Sequence, residues 1–198
     1  MALTVLNTDP PMTPDSSPEM ASSESAIPRE NKFSASDVLQ ILRNHRWLAA
    51  HPSAEQSAWC ERAAALLGPQ SPDRAKLESL LALIFQYQAR EVLAAPDAQI
   101  VMSRYAARDA LRLLANLLLD PAPLTTDRFR EIVDALKSQL EIRGRELFHP
   151  LRLALAGRSG EGDLDRVVLL LDDAAAASFS VPVKTARTRI IEFCSALD

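Results

Sequence analysis

At 198 residues with 47% hydrophobic side chains, the chain has enough apolar mass for one good core or two small lobes sharing an interface. Few aromatics (5%), five glycines and abundant Ala and Leu favour helices. No stretch alternates over a strand's length, so an all-α multi-helix bundle is predicted. Of the net charge of −4, residues 1–32 carry −3 and residues 33–198 carry −1. That excludes a broadly basic phosphate-gripping surface and leaves nucleic-acid binding to a local patch.

Residues 1–32 hold five prolines and clustered serines with little to bury, and are expected to form a disordered leader. A helix capped by Ser34 or Ser36 is predicted to run to about Ala50, burying Val38, Leu39, Ile41 and Leu42. Ser53 and Gln56 make a capping-box pattern that opens a second helix. It is expected to stop at Gly68-Pro69, with Gly68 left-handed. Ser71-Pro72 signals a third helix, with Pro72 at its first position, running to about Ala94. Its apolar residues on several faces, Leu77 to Tyr87, make it the candidate central helix. Helical pattern resumes after Pro96-Asp97 and reaches Leu119, with a break near Ser103. Asp120 to Pro123 reads as a linker. Helices are then predicted over Thr126–Leu140, from Pro150 to Gly157, around Leu164–Leu171, and from Pro182 to about Leu197. The chain divides into regions 33–120 and 121–198, or forms one continuous domain over 33–198.

The run Gly144-Arg-Glu-Leu-Phe-His-Pro-Leu-Arg-Leu-Ala-Leu-Ala-Gly157 is the most informative segment. With its flanking helices, over residues 124–172, it resembles the "PLR-x-ALTG" segment near the C-terminus of bacterial glutamyl-tRNA synthetases. The resemblance implies an anticodon-binding helical cage and a tRNA or structured-RNA partner. It implies that Arg152, from the Pro-Leu-Arg step, and Leu164, from the following loop, lie against anticodon bases. An arginine fork suits such work, since it can both hydrogen-bond and stack on a splayed base. Arg143, Arg145 and Arg158 surround the same loop and complete the candidate RNA-binding set. The alternative for Arg152 is an internal salt bridge, to Glu146 or Glu161. Two places depart from the family pattern: Glu161-Gly162 stands where Gly-Pro or Thr-Pro is usual, and Leu171-Asp172-Asp173 replaces a terminal Leu-Gly. Residues 33–120 carry no evident likeness to the synthetase.

Neither the His-x-Gly-His step nor the KMSKS loop of a class I synthetase occurs in this sequence. Gly157 to Gly162 lacks the strand and the Gly-Lys-Ser/Thr of a phosphate loop. His45, His51 and His149 lack metal-site spacing. The acids Asp163, Asp165, Asp172 and Asp173 border a helix and read as caps, and Trp47 and Trp59 read as a core contact. Cys60 and Cys194 read as free thiols in a reducing cytosol. There is no secretory signal pattern and no apolar run of about 20 residues, so a cytoplasmic, membrane-free location is expected. A non-catalytic RNA-binding module without cofactor or metal is the leading expectation. A protein-interaction module, binding a partner or a second copy of itself, is the alternative.

Overall fold

The computed structural model describes residues 30–197, and among these no strand occurs. The helices in chain order are α1 (Ala35–Asn44), α2 (Ala54–Leu67), α3 (Arg74–Phe85), α4 (Ala89–Ala94), α5 (Pro96–Met102) and α6 (Ala107–Leu117). They continue with α7 (Thr126–Leu140), α8 (Arg145–Ala156), α9 (Asp163–Val168), α10 (Leu171–Ala176) and α11 (Ala186–Leu197). The all-α expectation is met. Most of the expected leader lies outside the described residues. Its described end is docked: Asn31 Nδ2 donates to the Ala64 carbonyl at 3.1 Å.

Local chemistry opens the early helices. Ser34 and Asp37 cap α1 reciprocally, and Ser53 and Gln56 do the same for α2. The first helix stops at Asn44, six residues short of Ala50, because Arg46 turns through a left-handed φ of 60° and folds Trp47 inward. Trp47 stacks on Phe85, their ring centroids 4.8 Å apart, and Trp59 and Phe179 meet Phe85 edge-on. Both tryptophans are therefore core residues.

Gly68 is right-handed, with φ −56°, and leads into a 3-10 turn over Gly68–Gln70. Space explains this glycine: a Cβ there would fall 1.9 Å from Asn31 Oδ1. The cap of α3 is Asp73, whose carboxylate accepts from Lys76 N at 2.8 Å, while Ser71 is buried and donates to the Leu67 carbonyl. The predicted long third helix breaks after Phe85 for a tertiary reason. Arg189, fully buried on α11, donates to the carbonyls of Leu83, Ile84 and Leu155 at 3.0, 2.6 and 2.8 Å. It thereby satisfies the open C-terminal ends of α3 and α8 together. Tyr87, in the break, lies under that guanidinium and donates to the Ala154 carbonyl at 2.6 Å.

The break at Ser103 and the span of α7 match expectation. The helix holding Pro150 begins five residues earlier than predicted, at Arg145, so Arg152 sits mid-helix rather than in the first turn. Leu147 is fully buried, and its anchorage carries the helix in ahead of the proline. Pro150 stands at the sixth position of α8, inside the helix, where it removes one intrahelical amide donor. Gly157 ends α8 at φ 81°, as expected. The predicted Leu164–Leu171 helix splits into α9 and α10, and Trp59 Nε1 takes the Leu170 carbonyl at the gap. The last helix starts at Ala186 rather than Pro182, where Asp172 Oδ1 accepts from the Ala186 amide at 2.8 Å. One continuous cluster of buried side chains runs from Val38 of α1 to Phe193 of α11.

Candidate nucleic-acid interface

Two glycine-marked corners bracket α8. The first, between α7 and α8, turns through Glu141 at φ 54° and Gly144 at φ 56°, ψ −134°. The Gly144 conformation is closed to side-chain-bearing residues. This corner exposes Arg143 and Arg145 to solvent. The second corner is the loop from Gly157 to Gly162. Arg158, also exposed, reaches Ser79 Oγ at 3.4 Å, and Ser159 donates to Asp97 at 3.0 Å. About 18 Å separates the two corners, from the helical rise over the 12 residues of α8.

Arg152 lies between them and its hydrogen-bonding groups are engaged. Nε and Nη2 donate to the two carboxylate oxygens of Asp165 at 2.7 and 2.8 Å, and Nη1 donates to the Gly160 carbonyl at 2.6 Å. Its guanidinium lies 4.8 Å from the centre of the Phe148 ring, and the side chain is 11% exposed. The internal partner is thus Asp165, neither Glu146 nor Glu161. Leu164 is 3% exposed and packs where Gly160 passes. In the geometry, Arg152 and Leu164 shape the loop, while Arg143, Arg145 and Arg158 face water.

The acids expected to cap their own helix instead tie elements together. Asp163 pairs with Lys76 of α3 at 2.7 Å, and Asp173 with Arg62 of α2. Asp172 joins the linker, through the Leu124 amide at 2.8 Å, to the start of α11.

The corner at Arg145 gains a residue that no local pattern marked. Arg104, between α5 and α6, donates to the Arg145 carbonyl at 3.1 Å and stands 3.4 Å from His149 Nδ1. Forty-one and forty-five positions separate these partners, so only the tertiary fold joins them. Burial, then the charges of Arg104, Arg145 and Arg152, hold the His149 imidazole below its usual range, and Glu161 alone opposes. Burial is the largest cause of this depression, and the neighbouring guanidinium groups add to it. Among the described residues no group of three or more His, Cys, Asp or Glu is placed to hold a metal ion. Cys60 is buried, and burial pushes its thiol up to about 12.

The described residues thus form an all-helical domain with exposed arginines at its glycine-marked corners. The family model for the anticodon binding domain matches residues 26–174, and the chain belongs to that family. The match starts well before residue 124, so the N-terminal helices, which carry no evident likeness by motif, are part of it. A glutamate–tRNA ligase of Geobacillus thermodenitrificans is 29% identical over 130 residues, covering 63% of this chain and 25% of that protein. Glutamate–tRNA ligase 2 of Syntrophus aciditrophicus is 25% identical over 118 residues, covering 60% and 24% respectively. The chain thus spans about a quarter of the length of these relatives. No solved structure gives a significant match.

Proposed function

We propose that this chain is a non-catalytic tRNA-binding module, residues 30–197 folding as one unit, that takes RNA at the α7–α8 corner. The placing of Arg104 against His149 and the Arg145 backbone, beside the exposed Arg143 and Arg145, carries the reading. Arg152 is already paired with Asp165, so among the described residues the charge left without a carboxylate partner at this corner is that of Arg104, Arg143 and Arg145, and phosphate is the anion an anticodon-binding family member meets. Arg143 and Arg145 supply exposed forks. Arg152 acts from beneath, holding Gly160 and so the loop that carries Glu161 and Arg158. Glu161 remains within the field as an acid and limits affinity. The work of such a module places it in the cytoplasm. Among the described residues no helix is long and apolar enough to cross a membrane.

Binding of total deacylated tRNA, followed by fluorescence anisotropy, tests the proposal. Affinity should fall linearly on logarithmic axes between about 50 and 200 mM salt, and Arg145→Ala should lower the slope by about one. No binding at low salt would sink it. A second reading, a module that binds a protein partner or its own copy, draws on an open groove of about 680 Å³ between the linker and α11. Leu118, Pro121, Pro123 and the exposed Ile191 line it. Analytical ultracentrifugation showing a stable dimer without RNA binding would favour that reading.

A further inference from the structure

Tyr105 is an aromatic residue that the fold does not use. It sits in the turn between α5 and α6, fully exposed at 100%, although tyrosine rings ordinarily bury much of their area. Its neighbours in the chain are mostly cationic and polar, with Ile100 of α5 the exposed apolar exception at 65%. Arg104 precedes it and bonds to the Arg145 backbone beside His149, while Ser103, Arg108 and Asp109 are exposed around it. A protein-docking hot spot would bring an apolar rim that excludes water. A bare ring with Arg104 and Arg108 close by in the chain suits an unpaired nucleobase, which stacks on the ring while the cations hold the adjoining phosphate.

We propose that Tyr105 is the stacking platform for one unpaired base of the bound RNA, with Arg104 and Arg145 gripping the phosphate next to it. The inference rests on the RNA-binding reading above and adds a contact to it. It assigns the α5–α6 turn to the interface, and it sets the preferred ligand as RNA with an unstacked loop or end rather than a continuous duplex. Stacking tolerates any base, so Tyr105 contributes affinity for looped RNA without reading sequence.

The test compares the wild-type chain with Tyr105→Ala and Tyr105→Phe, using total tRNA, a single-stranded oligoribonucleotide and a blunt RNA duplex. The residue is wholly exposed, so neither substitution disturbs packing; matching far-ultraviolet circular dichroism verifies this. Tyr105→Ala should weaken tRNA and single-strand binding about 5- to 100-fold without changing the salt slope, because stacking releases no counterions. Tyr105→Phe should stay within about twofold of wild type, since it keeps the ring face. Binding of the duplex should be the same for all three. Equal binding of tRNA by wild type and Tyr105→Ala overturns the inference and leaves the RNA reading intact. So does an equal loss in the Phe and Ala variants, which would point to the hydroxyl. Failure of the wild type to bind any of the three RNAs overturns the reading itself.

Discussion

Arg152 is the residue on which sequence resemblance and geometry make different demands, and the Arg152–Asp165 pair separates them. Arg152→Ala deletes two bonds to the carboxylate and one to the Gly160 carbonyl. It leaves Asp165, 23% exposed at its side chain, with partial access to water. Hydrogen bonds to charged groups are worth about 1.5–3 kcal/mol each, and rehydration of Asp165 returns part of that, so a loss of about 2–4 kcal/mol is expected. Urea denaturation followed at 222 nm measures it for Arg152→Ala, Asp165→Ala and the double variant. The coupling energy from that cycle should reach about 1.5 kcal/mol or more for a bidentate pair this well covered. The companion measurement is tRNA affinity against salt. A positioning arginine weakens binding when removed but leaves the slope alone, whereas a phosphate-contacting one lowers it by about one. Coupling below about 0.5 kcal/mol together with a reduced slope would refute the positioning role.

Arg189→Met should destabilise the chain by about 3 kcal/mol in the same denaturation assay. Three buried carbonyls lose their donor at about 1–3 kcal/mol each, offset by about 3 kcal/mol from no longer burying a guanidinium whose pKa burial lowers to about 10. An unchanged midpoint would count against it. Gly144→Ala should cost about 1–3 kcal/mol from backbone strain alone, because no neighbour lies within contact of the added methyl; a neutral thermal melt would contradict this. His149 is held below its ordinary value, so the neutral ring contributes to stability above about pH 6.5 and that contribution is lost as pH falls below it. Wild type should therefore lose more stability than His149→Gln on acidification from about pH 7 to 5.5, and parallel curves would exclude the linkage.

Helix starts were legible at Ser53 and Gln56 and near Pro96 and Thr126, whereas Ser71-Pro72 did not start α3, which Asp73 caps. Helix ends were less so, because distant donors decide them. Arg189 claims the carbonyls at the end of α3, and Trp59 claims the one between α9 and α10. Pro150 misplaced the start of α8, since burial of Leu147 outweighs the preference of proline for the first position. The Pro-Leu-Arg step pointed to the right family. It could not choose Asp165 among the nearby acids, nor bring Arg104 across forty-one positions to Arg145. The fold largely encloses Arg152 and Leu164, while Arg143, Arg145 and Arg158, at the ends of the same segment, stay exposed.

The reach of Arg189 bears on how the chain is made. Its partners at Leu83 and Ile84 leave the ribosome 106 and 105 residues ahead of it, and Leu155 leaves 34 ahead. During synthesis those helix ends must stay hydrated, because their donor does not yet exist and burying them bare is costly. The nascent helices can form early but the interior cannot seal. Closure waits for α11, which brings Arg189 together with the buried Ile190 and Phe193, so a chain stalled before it should be a persistent client of chaperones rather than a smaller folded protein.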